Sequence, residues 1–156
     1  MAIATYYLND PKAPKPNSPT HIGTNVYLEW QDRLLLEQRW DCGEWGLIGG
    51  RLRSSERYAQ GISREVREET GIFLPENAFT QLRVCDDDRI AAYQDGTVWR
   101  MMIVLFRAVL SAEPNIKPSR ESTCLRFFTR EELEHIKIVT THSDLVEAWR
   151  TGEYLR

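Results

Sequence analysis

The sequence predicts an α/β fold in which a mixed β-sheet lies between helices. Three stretches carry that expectation: an alternating hairpin over residues 22–39, a glycine-bounded amphipathic helix within 50–72, and a nearly continuous apolar run from Val98 to Leu110. Strands come in hairpins on either side of the helix, which argues against a doubly wound parallel sheet. With 156 residues, 42% hydrophobic and 28% charged, the chain is long enough for one core and short for two. The expected organisation is a proline-rich N-terminal arm over 1–20 followed by a single domain over 21–156.

Pro11, Pro14, Pro16 and Pro19 stand among lysines and small polar residues, a composition that favours extended chain. From Ile22 the pattern alternates: Ile22, Thr24, Val26, Leu28 and Trp30 share one face of a strand. Gln31-Asp32 then turns the chain into a second strand, Arg33 to Arg39. A loop through Trp40 and Gly43 leads to the run Trp45-Gly46-Leu47-Ile48-Gly49-Gly50, read as a short strand ending in a glycine turn.

The next stretch holds the chemistry. Ser54 and Ser55 are good helix N-caps, and Gly71 supplies a left-handed stop. At about 100° per residue, Ala59, Ile62 and Val66 form an apolar stripe that packs on the core. Glu65, Glu68 and Glu69 stand at i, i+3 and i+4, so three negative charges converge on one patch. Such a patch calls for bound positive charge, and an oxygen-only donor set suits a hard divalent cation, Mg²⁺ or Mn²⁺. Gly61 lies on the same patch, where a mid-helix glycine costs about 1 kcal/mol relative to alanine and implies close approach.

Gly50, Glu56, Arg64-Glu65-Val66, Glu68-Glu69 and Gly71-Ile72 stand at spacings that resemble an unbroken Nudix box, with an apolar residue wherever that family has one. Ile48 departs from the proline common before the box, which touches turn rigidity and not chemistry. The resemblance covers roughly Ile22 to His135 and implies an α/β/α sandwich. It also implies metal-assisted hydrolysis of a nucleoside diphosphate linked to another group: a nucleoside triphosphate, an oxidised nucleotide or a nucleotide sugar.

On that resemblance, Glu65, Glu68 and Glu69 are the expected metal ligands together with the backbone of Gly50, and Glu56 and Arg64 hold the ligands in place. Glu68, Glu69, Arg64 and Glu121 form the expected catalytic set. The base comes either from the box or from Glu121, which stands six residues before Phe127. Arg39 and Arg51 are the expected phosphate-binding residues, since guanidinium matches phosphate oxygens bidentately. Trp40, Tyr93 and Trp99 are candidates to stack on a base, with packing at the core or rim as the other reading. A Nudix-fold sensor that binds a nucleotide metabolite without turnover is the alternative function.

Beyond the box, the run Asp86-Asp87-Asp88 reads as a solvated bend, because consecutive residues in a strand splay to opposite faces. Gln94 to Thr97 is a hairpin turn, Cys124 to Phe128 a strand, and Thr129 with Glu132 a capping box opening a helix. A last helix over 143–150 packs through Leu145, Val146 and Trp149. His21, His135 and His142 have no ligand spacing.

A net charge of −3 offers no overall drive toward nucleic acid or anionic lipid, so no polymer partner is expected. Cys42, Cys85 and Cys124 are odd in number and lack any CxxC pair. No apolar stretch reaches the length of a membrane span. A cytoplasmic enzyme acting on a small nucleotide is the expectation, with a homodimer as a possibility drawn from the family.

Overall fold

A computed structural model describes residues 4–118 and 122–155. Its strands are β1 (Ala4–Leu8), β2 (His21–Trp30), β3 (Arg33–Arg39), β4 (Trp45–Arg51), β5 (Thr80–Cys85), β6 (Arg89–Tyr93), β7 (Val98–Val109) and β8 (Ser122–Phe128), and its α-helices are α1 (Tyr58–Thr70) and α2 (Thr140–Thr151). They form one mixed sheet in the order β1-β6-β7-β2-β4-β3-β8, with β5 also paired to β7. The central pair, β2 and β7, is parallel, with Val26 opposite Phe106, and the other pairings are antiparallel.

Alternation along the strands divides the core between the two faces. Val26, Leu28, Leu35, Ile48, Val104 and Phe106 pack under α1 against Ile62 and Val66. Their sequence neighbours Tyr27, Leu34, Leu36, Leu47, Ile103 and Leu105 pack on the opposite face against Leu145, Val146 and Trp149 of α2. This is the α/β/α sandwich that the pattern predicts. Ile62 and Val66 are fully buried, worth about 1.5–3 kcal/mol each in apolar transfer. The hairpin between β2 and β3 turns where expected, with φ of 51° at Gln31 and 57° at Asp32.

Three expectations need correction. The arm over 1–20 is in part sheet: Ala4–Leu8 pairs antiparallel with β6, Tyr6 opposite Ala91, and the proline-bearing stretch after it lacks regular structure. Ser54 and Ser55 do not cap α1. The helix starts three residues later, after Arg57, whose N–H donates to Gln60 Oε1 at 2.8 Å. The Thr129–Glu132 capping box forms, with Thr129 N–H donating to Glu132 Oε1 at 3.0 Å, but it opens only a four-residue 3-10 turn.

Asp86 to Asp88 do form the bend between β5 and β6. Arg89, fully buried behind it, donates to both Asp144 oxygens at 2.7 and 2.8 Å and to the Thr141 carbonyl at 2.7 Å. That ion pair ties β6 to α2, and β6 in turn carries one wall of the cleft described next.

Candidate active site

The glycines that end β4 bring α1 against the sheet. Gly49 has a φ of 148°, and a Cβ there would fall 2.0 Å from the Thr24 carbonyl oxygen, so the strand passes β2 only without a side chain. Gly50 serves differently: the Glu65 carboxyl group fills its Cβ position, 2.6–2.7 Å from where a methyl would stand. Gly61 makes the close approach its position implied, with Leu52 Cδ1 2.5 Å from a built Cβ.

Along the next turns of α1, Glu65 and Glu69 are 8% and 5% exposed while Glu68 remains exposed. The helix thus presents its carboxylates at the edge of the buried stripe. Arg64 binds them together. Its Nε and Nη2 donate to Glu56 at 2.6 and 2.8 Å, its Nη1 to Glu65 at 2.8 Å and Glu68 at 3.0 Å, and its Nη2 to the Arg51 carbonyl at 3.2 Å.

Of these, Arg51, Glu65, Glu68 and Glu69 line a cleft of about 730 Å³, and Arg64 and Glu56 stand outside its lining. Gly49, Gly50, Glu65, Glu68 and Glu69 form one side, Glu37, Arg39 and Arg51 reach in from β3 and β4, and Trp40, Tyr93, Trp99 and Met101 complete the wall. Arg39 is already engaged: it grips Asp41 through Nε at 3.0 Å and Nη2 at 2.9 Å and donates to Tyr6 Oη at 3.0 Å. Burial works against its charge, but the hydrogen bonds to Asp41 hold it firmly protonated. Arg51 is exposed at the mouth. Glu121 lies outside the described residues.

Two contributors escaped the sequence reading. Glu37, only 5% exposed, is a carboxylate that directly follows three buried leucines in β3, and that contrast was its available signal. Asp41 gave none, because its partner Arg39 is set by loop geometry.

The Arg64 hydrogen bonds hold the Glu56 carboxyl down at about 2. A carboxyl depressed in the folded state contributes stability above its unfolded pKa and loses it as pH falls toward the folded value. Urea titrations in EDTA are expected to show wild-type stability falling between about pH 5 and 2. Glu56→Gln, which has no proton to take up there, flattens that part of the profile; an unchanged slope would contradict the pairing.

The donor set at the cleft is all oxygen, the chemistry a hard divalent ion takes. Among the described residues, no three His, Cys, Asp or Glu side chains stand as a finished metal cage, since Arg64 engages Glu65 and Glu68. The residues fit such an ion by donor type.

The NUDIX domain family model matches residues 19–149, a span containing every residue that lines the cleft. The chain belongs to the Nudix family. Nucleoside triphosphatase NudI of Enterobacter sp. (strain 638) is 33% identical over 97 residues, 62% of this chain and 69% of that protein. NudI of Escherichia coli O139:H28 is 34% identical over 94 residues, 60% and 67% of the two chains. With the Nudix box intact and such relatives, the protein is a pyrophosphohydrolase.

Solved Nudix structures match at the level of the fold. A bifunctional NMN adenylyltransferase/ADP ribose pyrophosphatase from Francisella tularensis, complexed with AMP and a Mn ion, superposes with a TM-score of 0.72 at 21% identity. The match covers 92% of this chain, which spans under half, 44%, of that longer one. The NUDIX domain of Shewanella oneidensis NrtR, complexed with ADP ribose, gives 0.67 at 22% identity over 94% of both chains. Among the described residues no helix is long and apolar enough to cross a membrane.

Proposed function

We propose that this Nudix enzyme hydrolyses a pyrophosphate linkage of a nucleoside triphosphate with the aid of Mg²⁺, which Mn²⁺ replaces. The observation that carries this reading is the single cleft in which Glu65, Glu68 and Glu69 face Arg51 and an aromatic wall. The similarity to NudI favours a triphosphate over a nucleotide sugar as the substrate.

In this reading Glu65, Glu68, Glu69 and the Gly50 backbone hold the metal. When bound, such an ion neutralises phosphate oxygens and makes the attacking water more acidic. Arg64 keeps Glu65 and Glu68 from drifting, and Glu56 anchors Arg64 in turn, so the carboxylates are oriented before substrate arrives. Arg51 draws the phosphates into the cleft, and Arg39 joins it by exchanging Asp41 for a phosphate oxygen. Glu69, buried where α1 lines the cleft, or Glu121 would take the proton from the attacking water.

Product mass across nucleoside triphosphates, oxidised nucleotides and nucleotide sugars, with Mg²⁺, Mn²⁺ or EDTA, tests the proposal. Selective, EDTA-sensitive cleavage of a triphosphate is the expected result. Tight binding of one nucleotide with no turnover would overturn it in favour of a sensor.

A further inference from the structure

A second cavity of about 140 Å³ adjoins the cleft. Arg39, Arg51, Tyr93, Trp99 and Met101 line both spaces, so the two meet along these side chains, away from the Glu65–Glu69 patch. The seam is aromatic: Trp99 lies 3.9 Å, centroid to centroid, from His21 and 5.1 Å from Tyr93. Trp99 and Tyr93 are only half-buried. Both rings line the two spaces beside the Arg39 and Arg51 guanidinium groups, a lining suited to a flat ring.

The smaller cavity also has a polar end. His142 is 5% exposed, and its Nδ1 accepts the Leu47 N–H at 3.1 Å. The remaining ring proton therefore sits on Nε2. No hydrogen bond from Nε2 forms among the described residues, although His142 lines the cavity. The imidazole is held neutral, since burial pushes its pKa down to about 3. It offers one N–H to a neutral acceptor, such as a ring nitrogen or carbonyl of a base, and no charge to a phosphate.

We infer that the heteroaromatic base of the substrate seats at this seam, stacked on Trp99 beside Tyr93 with an acceptor edge toward His142, while its phosphates lie toward Glu65 and Glu69. The inference rests on the nucleotide reading above and makes Trp99 the residue that distinguishes nucleotides from bare polyphosphates. In the strand, Trp99 pairs with Ala91 through backbone, so its side chain is replaceable without breaking the register.

The test is equilibrium binding by calorimetry with Mg²⁺, using α,β-methylene triphosphates of the four common ribonucleosides and inorganic tripolyphosphate. Trp99→Leu is expected to weaken the best-bound nucleoside analogue by about tenfold, the size of one lost base–aromatic stack. Trp99→Phe keeps a ring and should recover most of that loss. Tripolyphosphate should bind all three proteins alike.

Equal nucleoside affinity in Trp99→Leu would overturn the inference, and so would a parallel loss for tripolyphosphate. Binding of every analogue no tighter than tripolyphosphate would do the same. Since binding is read without turnover, an inactive wild type that still showed the Trp99 dependence would retain the base site and overturn only the hydrolase reading.

Discussion

Glu69→Gln is expected to leave the fold intact and lower kcat by about two to four orders of magnitude. Glu69 is 5% exposed, lines the cleft and shares the helix edge with Glu65 one turn before it. The amide keeps the shape of the side chain but can neither neutralise a cation nor take up a proton. It also removes one of two buried like charges at i and i+4. Circular dichroism with steady-state kinetics checks both halves. Near-wild-type turnover in a pure sample would remove Glu69 from the mechanism.

Arg64→Leu is expected to destabilise the fold by about 3–5 kcal/mol, the range for removing one partner of a buried ion pair. The Arg64 side chain is 10% exposed and reaches three carboxylates, two of which, Glu56 and Glu65, are themselves nearly buried at 13% and 11%. Leucine would leave those charges facing one another without the cation that spans them. Arg64→Lys should lose less stability, because it keeps the charge but not the planar fork that serves Glu56 and Glu65 together. Urea denaturation in EDTA is the measurement. A loss below about 1 kcal/mol in Arg64→Leu would mean that the cluster is a solvated surface network.

The contrast between these residues and the rest of the cleft shows where sequence carries structure. Glu65, Glu68 and Glu69 were legible because helical spacing forces them onto one edge, and Gly61 because a mid-helix glycine needs a reason that close packing supplies. The two core faces were legible from alternation in β2 and from the apolar length of β7. The inclusion of Ala4–Leu8 in the sheet was not, because a short edge strand is chosen by its partner β6, far away in sequence. Arg39 illustrates the same limit. Its residue type fits phosphate, but only the loop that follows puts Asp41 within 2.9 Å of its guanidinium. The start of α1 was misplaced for a local reason: two serines look like caps, yet the Gln60 side chain closes the first turn at Arg57 instead.

The site rests on one claim, that the carboxylates of α1 bind the metal. Titration of Mn²⁺ into wild type and Glu69→Gln, with free Mn²⁺ read by electron paramagnetic resonance in the presence of an α,β-methylene nucleoside triphosphate, tests it most directly. Retention of Mn²⁺ by the wild-type complex and its loss in the variant is the predicted result. Identical Mn²⁺ binding by the two proteins would contradict it.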